Sequence, residues 1–244
     1  MVPYTPPKPR QEWLLELRAQ NAIDLEAFQK AINFAGVQTF VHGGRTFMRV
    51  DRLQTLPDWG AVFDGGRELV GLFNGIVRVE CPYYRGVSLA GIIEVYADGS
   101  SSGVVQAEVL VPGLRELEAI QRHVARAATG AESLDLLANS NANVLEALRL
   151  FSLDDDPFVN LYKIYEIIDH DVGGLDALVR MSGISKTEIK RFTRTANHPA
   201  SAGRQARHAR NSGHPVTTPM QPGEARELVR ELLISWIGHK LAQL

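Results

Sequence analysis

The sequence predicts an α+β protein, with a mostly antiparallel β-sheet region and short helices first, followed by an α-helical bundle. Two observations support this prediction. Apolar and polar residues alternate with a period of two in several segments of residues 37–112, whereas beyond Pro112-Gly113 apolar residues recur at helical spacing. We therefore expect an N-terminal sheet domain at residues 1–112 and a C-terminal helical bundle at residues 113–244.

The N-terminal domain is predicted to contain two short helices and about five strands. The prolines of residues 1–10 favour an extended tail. A short helix is expected around Trp13, and a second one after Asp24, which is a suitable N-cap. The glycines of residues 43–45 are typical of a hairpin turn. The predicted strands are Val37–His42, Thr46–Leu53, Leu69–Glu80, Leu89–Tyr96 and Val104–Val111.

The C-terminal domain is predicted to be mainly helical. Pro157 suits the first position of a strongly apolar helix, and the two glycines at 173–174 mark its end. Ser185-Lys-Thr-Glu188 is a capping box that begins another helix, and an irregular stretch follows at residues 197–219. The remaining predicted helices are Leu114–Thr129, Ser133–Phe151 with a break in its Asn-rich middle, Leu175–Met181, and one that begins at Pro222.

Composition and motifs exclude several function classes. Cys81 is the single cysteine, so the chain can form neither an internal disulfide nor a thiolate zinc site, and we expect a cytoplasmic protein. No run approaches the ~18 apolar residues of a membrane span, so no membrane partner is expected. Glycine-rich phosphate loops are missing from the sequence. The neighbouring Asp169, His170 and Asp171 point in different directions on a helix, so we expect neither a metal site nor a cofactor.

Charge is unevenly distributed along the chain, although the formal net charge is only −2. Residues 113–185 carry 6 basic and 12 acidic side chains, whereas residues 186–214 carry 7 and 1. We call residues 186–214 the basic segment. Such a concentration of positive charge is typical of a surface that contacts nucleic-acid phosphates. The candidate nucleic-acid-binding residues are Lys186, Lys190, Arg191, Arg194, Arg204 and Arg210, and three of them, Lys186, Lys190 and Arg194, share one helical face.

The end of the basic segment reads Arg204-Gln-Ala-Arg-His-Ala-Arg-Asn-Ser-Gly-His214. It contains an Arg, a polar residue and a later His, at Arg207, His208 and His214, beside the last long helix of a predicted bundle. This arrangement resembles the HEPN superfamily, over residues 115–244. The resemblance implies an RNA-directed effector, such as a metal-independent endoribonuclease of a bacterial toxin or phage-defence type. It also implies a homodimer, because the family commonly builds its site across two subunits.

Three interpretations of the basic segment stay open, beside the binding of some other ligand. It can dock against the acidic residues 113–185, bind nucleic acid without chemistry, or cleave RNA. For cleavage, Arg207 would hold a phosphate and a His with a pKa near ~6.5 would move the proton, which makes Arg207, His208 and His214 the candidate catalytic residues.

For the whole protein, the alternative is a non-catalytic interaction or sensor protein with a protein partner. Its helical bundle would then mediate dimerisation or nucleic-acid binding. A homodimer is expected in either case, because the helix that begins at Pro157 is apolar on more sides than one small bundle covers.

Overall fold

The chain folds into two compact units, Met1–Glu132 and Ser133–Leu244, which we call the first and the second unit. The first contains an antiparallel sheet with helices, and the described part of the second is helical, so the predicted α+β class is confirmed. The structure is a computed structural model that describes residues 10–105, 130–153, 157–203, 206–207 and 216–243. The predicted tail at residues 1–9 and the predicted helix at Leu114–Thr129 lie outside these ranges.

The first unit is organised around a five-stranded sheet with the order β2-β3-β1-β4-β5, in which every pairing is antiparallel. The hairpin between β2 and β3 is confirmed, and its turn residues Gly43 and Gly44 both adopt positive φ angles. The strands are β1 (Arg10–Ala19), β2 (Val37–His42), β3 (Arg45–Val50), β4 (Val87–Tyr96) and β5 (Ser101–Val105). The helices are α1 (Ala22–Ala31), α2 (Trp59–Glu80) and a 3-10 turn at Asp51–Leu53.

The prediction of a short helix around Trp13 is wrong, because these residues form the central strand β1. Leu15 pairs with Met48 on one side and with Ile92 on the other. All residues from 13 to 17 are buried, including Glu16, whose carboxylate forms an ion pair with Arg45. A central strand that is buried on both faces loses the alternation that identifies a strand, and its Leu and Glu content then favours the helix prediction.

The predicted strand Leu69–Glu80 is also wrong, because these residues belong to α2. Asp58 begins this helix as its N-cap and accepts a hydrogen bond of 2.9 Å from the backbone N–H of Ala61. Apolar side chains that are buried on α2 at helical spacing include Leu69, Leu72, Phe73 and Ile76. Helix packing thus overrides the local alternation of apolar and polar residues around Val77–Cys81.

Asp24 does not cap α1 as predicted. Asn21 is the N-cap, and its side-chain oxygen accepts a hydrogen bond of 2.8 Å from the backbone N–H of Asp24. The Asp24 carboxylate is buried, and it accepts hydrogen bonds from the Asn21 amide and from the backbone N–H of Arg85. Asp24 therefore ties the start of α1 to the loop before β4.

The second unit follows its predicted helix boundaries closely. The break in the Asn-rich stretch occurs at Asn141, whose side chain caps the next helix. Helices begin at Pro157 and Pro222 as predicted, and Ser185 caps the helix that follows it. The helices described from residue 130 onwards are α3 (130–140), whose first three residues still belong to the first unit, α4 (Ala142–Ser152), α5 (Pro157–Val172), α6 (Leu175–Ser182), α7 (Lys186–Asn197), α8 (Pro199–Ala202) and α9 (Pro222–Leu241).

Helix α5 is the centre of the second unit and contacts α4, α6, α7 and α9. Its fully buried apolar side chains are Phe158, Leu161, Ile164 and Ile168. Tyr165, four residues after Leu161, is only half-buried, and burial raises the pKa of its phenol to about 12. Within the described ranges, no helix has the length and hydropathy that crossing a membrane requires.

Candidate nucleic-acid interface

Helix α7 carries the start of the basic segment and is strongly two-faced. The Ser185 hydroxyl oxygen accepts a hydrogen bond of 3.2 Å from the backbone N–H of Glu188, which fixes the first turn. One face packs into the unit through Ile189, Phe192, Thr195 and Ala196. Lys186, Lys190 and Arg194 are exposed on the other face, at the helical spacing noted in the sequence.

The exposed cations of α7 extend onto α6. Lys186 forms an ion pair of 2.7 Å with Asp176 of α6. The pKa of Asp176 lies below its ordinary value, first because of the hydrogen bond from Lys186 and then because of the charges of Lys186, Arg180 and Lys190. Asp176 is therefore in direct contact with Lys186 and within the electrostatic influence of Arg180 and Lys190. We call Arg180, Lys186, Lys190 and Arg194 the α6–α7 basic surface.

Within α7, Lys190 and Arg194 have more freedom to bind a ligand than Lys186, which is held by its ion pair with Asp176. Both side chains are exposed, and neither forms an ion pair with any residue that the structure describes. Arg180 was missed in the sequence because it lies before the charge-dense window. Its position four residues after Asp176 on α6 was the available signal.

Arg191 is a predicted nucleic-acid contact that serves the fold. Its guanidinium donates hydrogen bonds to the backbone oxygens of Thr218, at 3.0 Å, and Pro219, at 3.3 Å. It also forms an ion pair of 3.2 Å with Glu224, in the first turn of α9. These contacts attach the start of α9 to α7, which favours a structural role for Arg191.

Arg207 connects the far end of the basic segment to α5. Its backbone N–H donates a hydrogen bond of 2.8 Å to the carbonyl oxygen of Ala196, at the end of α7. Its guanidinium lies 3.0 Å from a carboxylate oxygen of Glu166 and 4.5 Å from the ring centroid of Tyr162. The Tyr162 ring in turn packs against Phe192. The pairs of Arg207 with Glu166 and of Lys186 with Asp176 fit the interpretation in which basic residues dock against residues 113–185.

His198 is the one histidine of the basic segment that lies within the described residues. His198 is buried, and its Nδ1 accepts a hydrogen bond of 3.1 Å from the backbone N–H of Ala200, so it caps the short helix α8. The remaining candidates, Arg204, His208, Arg210 and His214, lie outside the described residues. The catalytic pairing of Arg207 with His208 or His214 therefore stays a prediction.

The acids at the end of α5 do not form a cation site. Asp171 accepts hydrogen bonds from Lys240, at 2.7 Å, and from the Trp236 indole, at 2.8 Å. Across the described ranges, no group of three or more His, Cys, Asp or Glu side chains is placed to hold a metal ion.

Comparison with known proteins adds no family to this description. No family model matches the chain, and neither the curated proteins nor the solved structures give a match. The resemblance to the HEPN superfamily thus stays a prediction.

Proposed function

We propose that the second unit binds RNA along the α6–α7 basic surface, as an RNA-directed effector of HEPN-like type. The observation that carries the proposal is the exposure of Lys190 and Arg194 on one face, four residues apart. Residues at this spacing lie about 6 Å apart along a helix axis. The ammonium group of Lys190 and the guanidinium group of Arg194 can therefore both contact the phosphates of one strand. RNA is chosen over DNA on the resemblance carried by Arg207, His208 and His214.

Cleavage of the bound RNA is the catalytic form of this proposal. A metal-independent endoribonuclease needs a group that stabilises charge on the phosphorane-like transition state and a group that moves a proton. Arg207 would supply the first, oriented by Glu166, and His208 or His214 would supply the second. Because no cofactor is required, cleavage of total RNA in the presence of EDTA would support this form. Intact RNA under the same conditions would restrict the function to binding.

A non-catalytic interaction or sensor protein is the second candidate. It is favoured by apolar side chains on the surface of the second unit, of which Leu136 is 63% exposed and Leu153 is 43% exposed. Burial of such residues in a homodimer through residues 115–244 would remove apolar surface from water. In this candidate the basic residues serve solubility and internal ion pairs.

The binding proposal is tested by reversing the two exposed charges. Lys190→Glu with Arg194→Glu should weaken binding of a labelled single-stranded RNA. The slope of the logarithm of the binding constant against the logarithm of the salt concentration should become shallower by about 0.7 for each lost phosphate contact. The thermal unfolding midpoint should stay the same, because both side chains are exposed and unpaired among the described residues. Fluorescence anisotropy at several salt concentrations measures the first effect, and circular dichroism measures the second.

A control variant separates this local effect from the change in net charge. Lys30→Glu with Lys163→Glu alters the net charge equally, at exposed positions outside the α6–α7 basic surface. The control should bind RNA nearly as the parent does. The proposal fails if the Lys190 and Arg194 double variant binds RNA with unchanged affinity, or if both double variants lose affinity to the same extent.

A further inference from the structure

A cleft of about 610 Å³ lies within the second unit, between the ends of α5, α6 and α9. This volume falls in the range of about 300–1,000 Å³ that is typical of small-molecule sites. The cleft is rich in hydrogen-bond donors. The polar side chains on its wall are Asp171, Arg180, Ser235, His239, Lys240 and Gln243.

Asp171, the one acid among the described residues that line this wall, is already neutralised by contacts within the protein. A single oxygen, Oδ2, receives both the Lys240 ammonium at 2.7 Å and the Trp236 indole N–H at 2.8 Å. The Asp171 and Lys240 side chains are only 17% and 19% exposed, so this pair is held firmly. Asp171 therefore does not select a cationic ligand. The exposed Arg180 supplies the positive charge that a ligand meets, and the exposed His239 adds an imidazole ring whose Nε2 lies 2.9 Å from the amide nitrogen of Gln243.

Arg180 belongs both to this cleft and to the α6–α7 basic surface. It lines the cleft, and it lies close enough to Asp176 to help to lower the pKa of that carboxylate, as Lys186 and Lys190 do. A strand that follows the basic surface along α7 towards α6 would thus meet the cleft at Arg180. The cleft is concave, whereas the exposed face of α7 is convex, so the two places suit different parts of one ligand.

We infer that the cleft binds the terminal phosphate monoester of a nucleotide, with Arg180 and His239 as its principal donors. In RNA bound along the α6–α7 basic surface, this group is the phosphorylated end of the strand, and this part of the inference rests on the proposed function. A monoester carries a charge of about −1.5 to −2 at neutral pH and three acceptor oxygens, more than an internal diester offers. The guanidinium fork of Arg180 matches two of these oxygens at once.

Two binding experiments test the inference. The first compares AMP with adenosine by isothermal titration calorimetry, and only AMP is expected to bind. The second compares three labelled single-stranded RNAs of one sequence, with a 5′-phosphate, with a 3′-phosphate or with hydroxyl groups at both ends. Either the 5′-phosphorylated or the 3′-phosphorylated RNA should bind with a Kd about tenfold lower than that of the RNA with hydroxyl groups at both ends.

Variants assign this preference to the cleft. His239→Ala and Arg180→Ala should each abolish AMP binding and the preference for a phosphorylated end. Because both side chains are exposed, their loss should leave the thermal unfolding midpoint unchanged. Lys190→Glu, outside the cleft, should lower the affinity for all three RNAs by the same factor and leave AMP binding intact.

The outcomes separate this inference from the proposed function. If RNA binds without any preference for a phosphorylated end and AMP does not bind, the inference is overturned and the proposed function stands. If AMP binds and no RNA does, the cleft is a site for free nucleotides and RNA binding is overturned. If AMP binding survives both His239→Ala and Arg180→Ala, the phosphate site lies elsewhere and the inference fails.

Discussion

Arg207 decides whether the end of the basic segment serves the fold or the chemistry. The informative change is Arg207→Ala, studied beside Glu166→Gln, which removes the ion pair while the guanidinium and the Tyr162 ring both remain. The contacts of Arg207 with Glu166 and Tyr162 on α5 predict that Arg207→Ala destabilises the second unit. The catalytic interpretation predicts, in addition, a loss of activity that Glu166→Gln does not reproduce in full.

The size of the stability effect follows from the geometry of the two contacts. The side chains of Arg207 and Glu166 are 34% and 44% exposed, so their ion pair at 3.0 Å is worth about 0.2–1 kcal/mol. The guanidinium carbon lies 4.5 Å from the Tyr162 ring centroid, a cation–π contact worth about 0.5–1 kcal/mol at an exposed site. Arg207→Ala should therefore cost about 1–2 kcal/mol, and Glu166→Gln at most about 1 kcal/mol.

Urea unfolding, followed by circular dichroism, measures both variants and the double variant. In a double-mutant cycle the two changes should be non-additive by about 0.2–1 kcal/mol, because they share one ion pair. If Arg207→Ala leaves the free energy of unfolding unchanged, the structural argument is refuted. If Arg207 also stabilises a transition state, Arg207→Ala should lower an RNA cleavage rate by about 10²-fold or more. An unchanged rate would refute the catalytic assignment.

Two other features of the second unit can be tested independently, the acid stability given by Asp171 and the self-association of the chain. Burial is the largest single influence on the pKa of Asp171, and it acts to raise that pKa. The hydrogen bonds from Lys240 and Trp236, together with the charge of Lys240, outweigh burial and hold the pKa below its ordinary value of 3.8. Asp171 thus contributes stability that is present above pH 3.8 and is lost as the pH falls through the folded-state pKa, and Asp171→Asn should flatten the acid limb of stability against pH. For the proposed homodimer, light scattering at micromolar concentration should give twice the 26.9 kDa of one chain, and a mass of 26.9 kDa would contradict it.

Sequence patterns located the helices of the second unit because these helices are half-buried and capped. Pro157, Ser185 and Pro222 are local signals whose physical effect does not depend on distant residues. The errors in the first unit have the opposite origin. Strand β1 lies between β3 and β4 in the sheet, and its residues 13 to 17 are all buried, so its pattern lacks the period that distinguishes strand from helix.

The functional surface could be predicted only in part, because local charge does not show where a long side chain points. The spacing of Lys190 and Arg194 was enough to place both on the exposed face of α7. The inward direction of Arg191 depends on Glu224, 33 residues away, and that of Arg207 depends on Glu166. Ion pairs between residues so far apart form only once the helices have packed, so charge counting over a sequence window overestimates the basic surface.

The glycines of α2 explain why this helix was missed and provide a last test of the fold. Glycine lowers helix propensity by about 1 kcal/mol relative to alanine, and α2 contains several. At Gly66, however, a Cβ atom would lie 3.0 Å and 3.3 Å from the methyl carbons of Leu15, whose side chain is 1% exposed. Gly66 therefore permits the close approach of α2 to β1.

Gly66→Ala should consequently destabilise the first unit even though alanine favours the helix. Overpacking in a well-packed core costs about 1–3 kcal/mol, against a propensity gain of about 1 kcal/mol, so we expect a net loss near 1 kcal/mol. Gly60→Ala is the matched control, because Gly60 is exposed in the first turn of α2 and its Cβ would lie 3.4 Å from the nearest atom, on Asp58. The control should unfold at the same or a higher urea concentration than the parent. If Gly66→Ala is stabilised as much as Gly60→Ala, Leu15 can move aside, and close packing is not what selects glycine at this position.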